Sequence, residues 1–517
     1  MNPILYQNYD RTVILLDIPT SIAAAQGTKL HPIRSLLLSR EPPAEPYGGP
    51  LHENSNLATN PNGFDEGLHR SYQELSLAAL SHIEANRSNQ QWCLPRSLPS
   101  LEHAPPQSVQ GSLKKRKLEE TTTSMEKDCS DPDTAEGQVL RIPAEMLAKL
   151  VKDDPHSLAL NQRQTWREQQ DGKNESQAHV TESIEGLDSD EYDSCFYNAE
   201  RFPVTIAITN MKSQNPRLFQ IPPCASFLLS DCRESGHLRS AIRSLSQDYG
   251  HPRKFDLVVM DPPWPNASVR HKKGYQTYNL RELKTMLLKM DIDMVIAPNG
   301  VVCVWITNSE RVRQGVLGPG GLFEHWGVAL VEEWIWLKTT VSGVPQSPLS
   351  SGWRKPHEVL LVGRVSDWMQ PESQVFAGQE TIKRRVVAAV PDLHSRKPCI
   401  KSLVEELVLN KREGEYAGLE LFGRYAVAGW CVWGNEAIKY NWDVYWKDEV
   451  NLGMTGAEKQ TADLEQVRSQ DGPNPAPYVC PRAETLSEDE TRSSLELQTT
   501  RLGEGLHSQL TEVVPLW

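Results

Sequence analysis

The sequence predicts an α/β fold, with a mostly parallel sheet flanked by helices, and three observations support this. Strand patterns become dense from Phe196 onward. The apolar run Phe255–Met260 ends directly in a turn at Asp261, which is typical of a buried parallel strand. Two earlier segments, Phe202–Ile208 and Ala225–Ser230, also have strand patterns. Ligands of open α/β sheets bind beyond the carboxyl ends of such strands, so Asp261 stands where a substrate would lie.

Composition indicates that folded parts alternate with disordered ones. The 517 residues include 36 Pro and 32 Gly, and only 38% are hydrophobic, which is low for a single globular body. The expected units are a short N-terminal ordered segment at 1–40, a mostly disordered linker with short helices and a basic run at 41–195, a main folded domain at 196–447 and a disordered tail at 448–517.

Individual elements follow from local patterns. The run Thr12–Leu16 predicts a buried strand, and helices are expected near Ser71–Ile83 and Ile142–Val151. The alternating segment Phe202–Ile208 and the segment Ala225–Ser230 predict two further strands ahead of Phe255–Met260.

Charge restricts the partners. A net charge of -13, if it were spread evenly, would repel nucleic acid, so binding of nucleic acid requires local basic clusters. One cluster, Arg270-His271-Lys272-Lys273, follows the Asp261 turn directly, and Lys383–Arg385 adds another. In the linker, Lys114–Lys117 fits either a nuclear import signal or a solvated run of charge, and the motif alone leaves both open.

Cysteine and apolar patterns argue against two classes of protein. The nine Cys stand singly without a C-x-x-C pair, which disfavours a zinc module and suggests reduced thiols inside the cell. The sequence lacks an uninterrupted apolar run of the ~18 residues that a membrane span needs. We therefore expect neither a metal site nor a membrane segment.

The turn after Phe255–Met260 has a composition suited to holding an amine. It consists of Asp261, Pro262, Pro263 and Trp264. The Asp261 carboxylate and the Pro262 carbonyl can accept hydrogen bonds, the two prolines stiffen the turn because their φ angles are fixed, and Trp264 offers a flat face to a base. The alternative is an ordinary proline turn with Trp264 packed in the core.

Several segments of the chain, in this order, resemble one family. Besides Asp261–Trp264 they are Tyr275–Leu283, Gly300–Asn308, Glu333–Thr339, His394–Pro398, Leu419–Arg424 and Trp433–Glu436. They resemble the nucleic-acid adenine-N6 methyltransferases related to the catalytic subunit of the mRNA adenosine methyltransferase, whose signature is D-P-P-W at a strand end. Within that family the chain most resembles the branch called methyltransferase-like protein four, over about residues 196–446.

The resemblance implies a permuted, Rossmann-like methyltransferase domain at 196–447 that uses S-adenosylmethionine. The strand that binds this donor would follow the acidic motif in the chain, since no G-x-G-x-x-G precedes Asp261. The implied reaction is direct methyl transfer to N6 of adenine, with Asp261 drawing the amine toward tetrahedral geometry. Positioning would then supply much of the rate.

The resemblance also assigns the other site residues. Asp231 and Cys232 would meet the adenine of the donor, and Lys397 would pair with its carboxylate. The residues expected around the ribose and nearby groups are Glu420, Arg424, Asn435 and Glu436, the last departing from the family's amide. On the substrate side, Tyr275 would line the target pocket, and Arg270, Lys272 and Lys273 would contact phosphates.

Two questions stay open at this stage. The resemblance implies RNA, notably small nuclear RNA, as substrate, but DNA adenine is the alternative. A non-catalytic nucleic-acid-binding subunit of the same fold is a further alternative. We expect a nuclear protein, with the cytoplasm as a second location, that is active without an obligate partner subunit.

Overall fold

The computed structural model describes residues 2–33, 35–47, 65–87, 91–99, 139–151, 195–210, 216–265, 279–351, 355–365, 382–393 and 396–448. The disorder predicted for most of the linker and for the C-terminal tail lies outside these residues, as does the basic run Lys114–Lys117. The domain boundaries expected from composition stay predictions.

The described residues form sixteen strands. They are β1 (Ile4–Gln7), β2 (Val13–Leu16), β3 (Ser35–Leu37), β4 (Val139–Ile142), β5 (Cys195–Tyr197), β6 (Val204–Asn210), β7 (Arg217–Ile221), β8 (Ser226–Leu228), β9 (Phe255–Met260), β10 (Ile296–Ile306), β11 (Val328–Lys338), β12 (His357–Val365), β13 (Lys383–Ala389), β14 (Gly418–Leu421), β15 (Trp430–Trp433) and β16 (Trp446–Asp448).

The α-helices are α1 (Ile18–Ala24), α2 (Glu66–Asn86), α3 (Ala144–Leu150), α4 (Ser235–Tyr249), α5 (Leu280–Leu288), α6 (Glu310–Leu317), α7 (Leu322–His325) and α8 (Lys401–Val404). Short 3-10 turns lie at Ile292–Met294, Lys439–Asn441 and Asp443–Tyr445, and a π-helical turn lies at Glu405–Leu409.

Eleven strands make one central sheet in the order β1-β2-β13-β11-β12-β10-β9-β14-β15-β8-β5. Six of the ten neighbouring pairs are parallel, including the run from β10 through β9, β14 and β15 to β8. The predicted α/β fold with a mostly parallel sheet is therefore confirmed. A small sheet of β4, β6 and β7 and a pair of β3 with β16 lie beside it.

Strand β9 is buried on both faces from Leu257 to Met260, which explains its apolar sequence there. Leu257 and Val259 pack into one core, and Val258 and Met260 pack into the other. Side chains alternate along a strand, so such a run must have a layer on each side. One layer holds residues of α4, α5 and α6, and the other holds residues of α1, α3 and the small sheet.

The N-terminal residues complete this same sheet. Val13, Ile14 and Leu15 of β2 pair in parallel with Val386, Val387 and Ala388 of β13. The strand predicted at Thr12–Leu16 is thus present. The helix expected near Ser71–Ile83 is longer, because Asp65 caps α2 by accepting from the backbone N–H groups of Gly67 and Leu68.

Candidate active site

The carboxyl ends of five adjacent parallel strands meet along one edge of the sheet. Met260 of β9 lies level with Val304 of β10 on one side and with Leu421 of β14 on the other. Leu421 in turn lies level with Trp433 of β15. The Asp261 turn and the Leu419–Arg424 strand end, far apart in the chain, are therefore direct neighbours. This is the permuted arrangement that the resemblance implies.

Asp261 stands at the centre of this edge, in contact with Lys397. The Lys397 ammonium lies 3.1 Å from Oδ1 and 3.0 Å from Oδ2 of Asp261. It also lies 5.3 Å from the centre of the Trp305 ring, within cation–π range. The side chain of Asp261 is 35% exposed and that of Lys397 17% exposed, so this pair lines the solvent side of the edge.

A second acid, Glu358, shares the Lys397 ammonium, and sequence reasoning missed it. Glu358 Oε2 lies 2.8 Å from Lys397 Nζ, and Glu358 Oε1 pairs with Lys338. Burial alone would raise the pKa of Glu358, but the charges of Lys338 and Lys397 hold it well below its ordinary value. For Lys397, burial opposes the charged form, and Asp261 and Glu358 together raise its pKa above the usual range. Four side chains of alternating charge thus form a row from β11 to β9, namely Lys338, Glu358, Lys397 and Asp261.

The Asp261–Trp264 turn is held from inside the protein. Trp264 is only 8% exposed, and its indole N–H donates to the Trp305 carbonyl at 2.6 Å. The Pro262 carbonyl accepts from the Trp264 backbone N–H at 2.7 Å, which leaves one lone pair for a ligand. Pro262 is buried, whereas Pro263 is exposed. The expectation that Trp264 offers a flat face to a base therefore needs correction. Its ring is buried in the core and its N–H is hydrogen-bonded to β10, so the side chain holds the turn in place.

Glu420 is the acid on the neighbouring strand. It is partly buried on β14, and burial, followed by repulsion from Asp261, raises its pKa to about 8. The backbone turns sharply just beyond it, since Phe422 has a φ of 62°. A Cβ at Gly423 would lie 2.3 Å from Val432 Cγ2 and 3.3 Å from the Glu420 carboxyl carbon, so only glycine permits this close turn.

Arg424, Glu436 and Asn435 lie together beyond β14 and β15. Arg424 Nε is 3.0 Å from Glu436 Oε2, and Lys439 Nζ is 3.1 Å from Glu436 Oε1. Asn435 is partly exposed in the turn that directly follows Trp433 and Gly434. The predicted ribose-side group is thus gathered on the two strand ends next to Asp261.

Asp231 and Cys232 follow β8, at the far end of the same edge. Burial tends to raise the pKa of Asp231, but hydrogen bonds from Arg233, one of them 2.6 Å long, lower it below its ordinary value. Cys232 is buried, with its thiol 3.8 Å from the Trp433 carbonyl, and burial raises its pKa to about 12. The thiol therefore stays protonated, and any polar contact of Cys232 with a ligand falls to its backbone.

The predicted substrate-side residues Arg270, Lys272, Lys273 and Tyr275 lie outside the described residues. The described chain stops at Pro265 and resumes at Asn279, where a capping box with Glu282 starts α5.

The side chains on this edge suit a zwitterionic, sulfonium-bearing nucleoside such as S-adenosylmethionine. Lys397 offers a positive charge for the carboxylate of the donor. Glu420 and Asn435 can bind ribose hydroxyls. Asp231 can accept a hydrogen bond from an adenine amine. The donor set is thus chemically consistent with this cofactor.

Strand order and site together define a permuted α/β domain of the methyltransferase type. Residues 255–436 match the MT-A70 family profile, so the chain carries an MT-A70 domain, and the expected family is confirmed. This match contains Asp261, Lys397, Glu420 and Glu436. Asp231 and Cys232 lie before it.

Curated relatives agree with this family. The chain is 40% identical to the N6-methyladenosine RNA methyltransferase MTA1 of Cryphonectria parasitica over 194 residues, 37% of this chain and 54% of that protein. It is 32% identical to the human N(6)-adenine-specific methyltransferase METTL4 over 225 residues, 43% of each. It is 29% identical to a DNA N6-methyl methyltransferase of Caenorhabditis elegans over 212 residues, 40% of this chain and 49% of that protein. The matches span about half of each relative.

Two further observations concern the described part of the chain. Its helices are too short or too polar to traverse a lipid bilayer. Among the same residues, no group of three or more His, Cys, Asp or Glu side chains is arranged to bind a metal ion.

Proposed function

We propose that this protein transfers a methyl group from S-adenosylmethionine to the exocyclic N6 of adenine in nucleic acid, with RNA as the preferred substrate. One observation carries the proposal. Asp261, at the end of β9, pairs with Lys397 and is flanked on the next strand by Glu420, within a matched MT-A70 domain.

Asp261 is the residue that would act on the target amine. Its carboxylate would accept a hydrogen bond from N6, and the remaining lone pair of the Pro262 carbonyl would accept a second one. These bonds draw electron density from the ring back onto nitrogen and orient the lone pair. Lys397 holds the Asp261 carboxylate in place, and the buried Trp264 ring holds the turn. Preorganised groups of this kind contribute to the rate because they need not rearrange during the reaction.

The donor would bind beside this turn. When bound, it supplies the methyl group and leaves as a neutral thioether, so the protein needs no nucleophile, and the methylated N6 then loses one proton to solvent. Lys397 would pair with its carboxylate, and Asp231 and the Cys232 backbone would contact its adenine. The residues proposed around the ribose are Glu420, Arg424, Asn435 and Glu436.

The names of the relatives support RNA over DNA, though not exclusively. The fungal relative, 40% identical, is named for RNA methylation, and the nematode relative, 29% identical, is named for DNA. A protein distinguishes the two through the 2′-oxygen. Arg270, Lys272 and Lys273 would contact phosphates, so oligonucleotide binding should weaken as salt rises.

The test is a methyl-transfer assay of the full chain on matched RNA and DNA oligonucleotides, with the product nucleosides identified by mass spectrometry. We expect N6-methylated adenosine from RNA. Asp261→Ala should lower the rate at least about a hundredfold, since misplacing the reacting groups by an ångström costs that much. Asp248→Asn, on the exposed side of α4, is the matched control and should transfer at the wild-type rate.

Other results would redirect the proposal. Methylation of DNA alone would replace RNA by DNA as substrate. Transfer that survives in Asp261→Ala would remove the role assigned to that carboxylate. A chain that binds RNA but shows no heat with S-adenosylmethionine in calorimetry would be a non-catalytic subunit of the same fold.

We also propose that the protein works in the nucleus and without an obligate partner subunit. The support for a nuclear location is the run Lys114–Lys117. Replacing these four residues by Ala in a fluorescent fusion should shift it to the cytoplasm, and an unchanged distribution would refute the signal. Transfer by the purified chain alone tests the second statement.

A further inference from the structure

One face of α2 packs against the start of β12. His69, Tyr72 and Gln73 are three and four residues apart, so they share a helix face. The His69 ring stacks on the His357 ring, with centroids 5.7 Å apart and planes 24° from parallel. Tyr72 meets the same His357 ring edge-on, also at 5.7 Å. His357, 2% exposed, is thus packed against two aromatic rings of α2.

Polar contacts hold the segment that leads into β12. Gln73 Nε2 donates to the Leu349 carbonyl at 2.7 Å, and it lies 3.1 Å from His69 Nε2. The Lys355 ammonium also contacts His69 Nε2. Burial lowers the pKa of His357 to about 3, so its ring is uncharged at neutral pH and can stay packed against α2 without a counter-ion.

Helix α2 is in turn anchored to the central sheet. The Tyr72 hydroxyl accepts from Arg313 Nη1 at 3.2 Å. Arg313 pairs with Glu333, a fully buried acid of β11, and Arg384 Nε donates to the same carboxylate at 2.7 Å. A buried carboxylate with two guanidinium partners resists displacement, because breaking either pair leaves a buried charge uncompensated.

His357 connects this anchor to the candidate active site through a single peptide bond. The residue after it is Glu358, which holds both Lys397 and Lys338. The His357 carbonyl also accepts from Asn308 Nδ2 at 2.5 Å, just beyond β10. A displacement of the His357 backbone would therefore be passed to Glu358, then to the Lys397 ammonium, and finally to the Asp261 carboxylate 3.0 Å from it.

We propose that α2 is a positioning element of the active site: His69, Tyr72 and Gln73 hold His357, and through Glu358 and Lys397 they fix the orientation of Asp261. This inference rests on the proposed methyl transfer. It assigns a task to residues 66–86, which composition alone places in a linker. The main contacts of these α2 side chains are with His357, Leu349, Lys355 and Arg313, so their effect on Asp261 is indirect.

The test compares His69→Ala with His69→Phe, which keeps a flat ring against His357. Arg70→Ala, the exposed neighbour on α2, is the matched control. We expect His69→Ala to lower kcat about tenfold with an unchanged KM for the oligonucleotide, because a misplaced catalytic group affects the transition state. His69→Phe should recover most of kcat, and Arg70→Ala should match the wild type.

A double-mutant cycle with Glu358→Gln separates positioning from general destabilisation. If α2 acts through Glu358, His69→Ala should cost little further kcat in the Glu358→Gln background, whereas independent effects would multiply. Multiplying effects, or a folded His69→Ala variant with wild-type kcat, would overturn the inference.

Hydrogen exchange at residues 358–361 gives a readout that needs no activity. The His69→Ala variant should exchange these amides faster than the wild type and the Arg70→Ala control. Equal exchange would also count against the inference. An inactive wild type would instead defeat the proposed function, and the exchange result would still decide whether α2 holds β12.

Discussion

Binding of S-adenosylmethionine at pH 7 should release close to one proton, and Glu420 should be its source. Burial and the neighbouring Asp261 raise the pKa of Glu420 to about 8 in the free protein. At pH 7 such a carboxyl is about nine-tenths protonated. The donor carries a sulfonium, an ammonium and a carboxylate, hence a net positive charge, and its ribose hydroxyls donate to an ionised acid. Both effects favour the carboxylate, so binding should expel the proton.

The sign and the pH range follow from the raised pKa. Well below pH 8 the free protein holds a proton that the complex does not, so affinity should rise about tenfold per pH unit and level off near pH 8. Above about pH 9 the free carboxyl is already ionised, so the proton release from Glu420 and its share of the pH dependence should vanish.

Calorimetry in two buffers of different ionisation enthalpy measures this proton directly. The wild-type heat should differ between the buffers at pH 7 by more than that of Glu420→Gln, and this excess should disappear at pH 9. Glu420→Gln cannot ionise and should bind more weakly, with heats that differ less between the buffers. Wild-type heats that agree between the buffers at pH 7 would refute the reasoning about Glu420.

Other predictions concern stability. Glu420 ionises near its ordinary pKa in the unfolded chain and near pH 8 in the folded chain. The thermal stability of the free protein should therefore fall as pH rises between these two values. In melting curves recorded at a series of pH values, Glu420→Gln should show a smaller fall. Trp264→Phe removes the hydrogen bond to the Trp305 carbonyl and should lower the free energy of unfolding by about 1 kcal/mol in urea titrations; an unchanged value would contradict its role in the turn. Lys397→Met leaves Asp261 without its cation and should lower the free energy of unfolding by about 1–3 kcal/mol, toward the lower value because the pair is partly exposed. It should also weaken donor binding in calorimetry. Unaltered binding would contradict the assignment of Lys397.

The sequence predicts those features that depend on local patterns. The apolar run before Asp261 identifies β9, since a strand that is buried on both faces is apolar at nearly every position. The family resemblance identifies the segment after the acidic motif that binds the donor, and from this β14 is expected to lie next to β9. The pairing of β2 with β13 is not predictable, because an apolar run shows that a strand is buried and does not identify its partner.

Helix α2 was predicted as a helix, but its packing against the central sheet was not. Leu68, Tyr72, Leu75 and Ala79 recur at helical spacing and pack on the core, and Asp65 supplies a capping residue. These features predict an amphipathic helix that needs a partner surface, even between Pro-rich stretches. Glu358 offered no comparable signal, because a single acid at the start of a strand acquires its meaning only from Lys397, which is distant in the chain.

The charges of the edge explain why Glu420 and Asp261 coexist on adjacent strands. Lys338, Glu358, Lys397 and Asp261 alternate in sign and sum to zero, so a charged Glu420 beside them would be an uncompensated acid. The free protein avoids this by keeping the Glu420 proton. A cationic donor restores the balance when Glu420 ionises, whereas a demethylated product, which lacks the sulfonium charge, no longer compensates it. The same carboxyl would therefore favour the donor over the product at neutral pH, and the preference should weaken in Glu420→Gln.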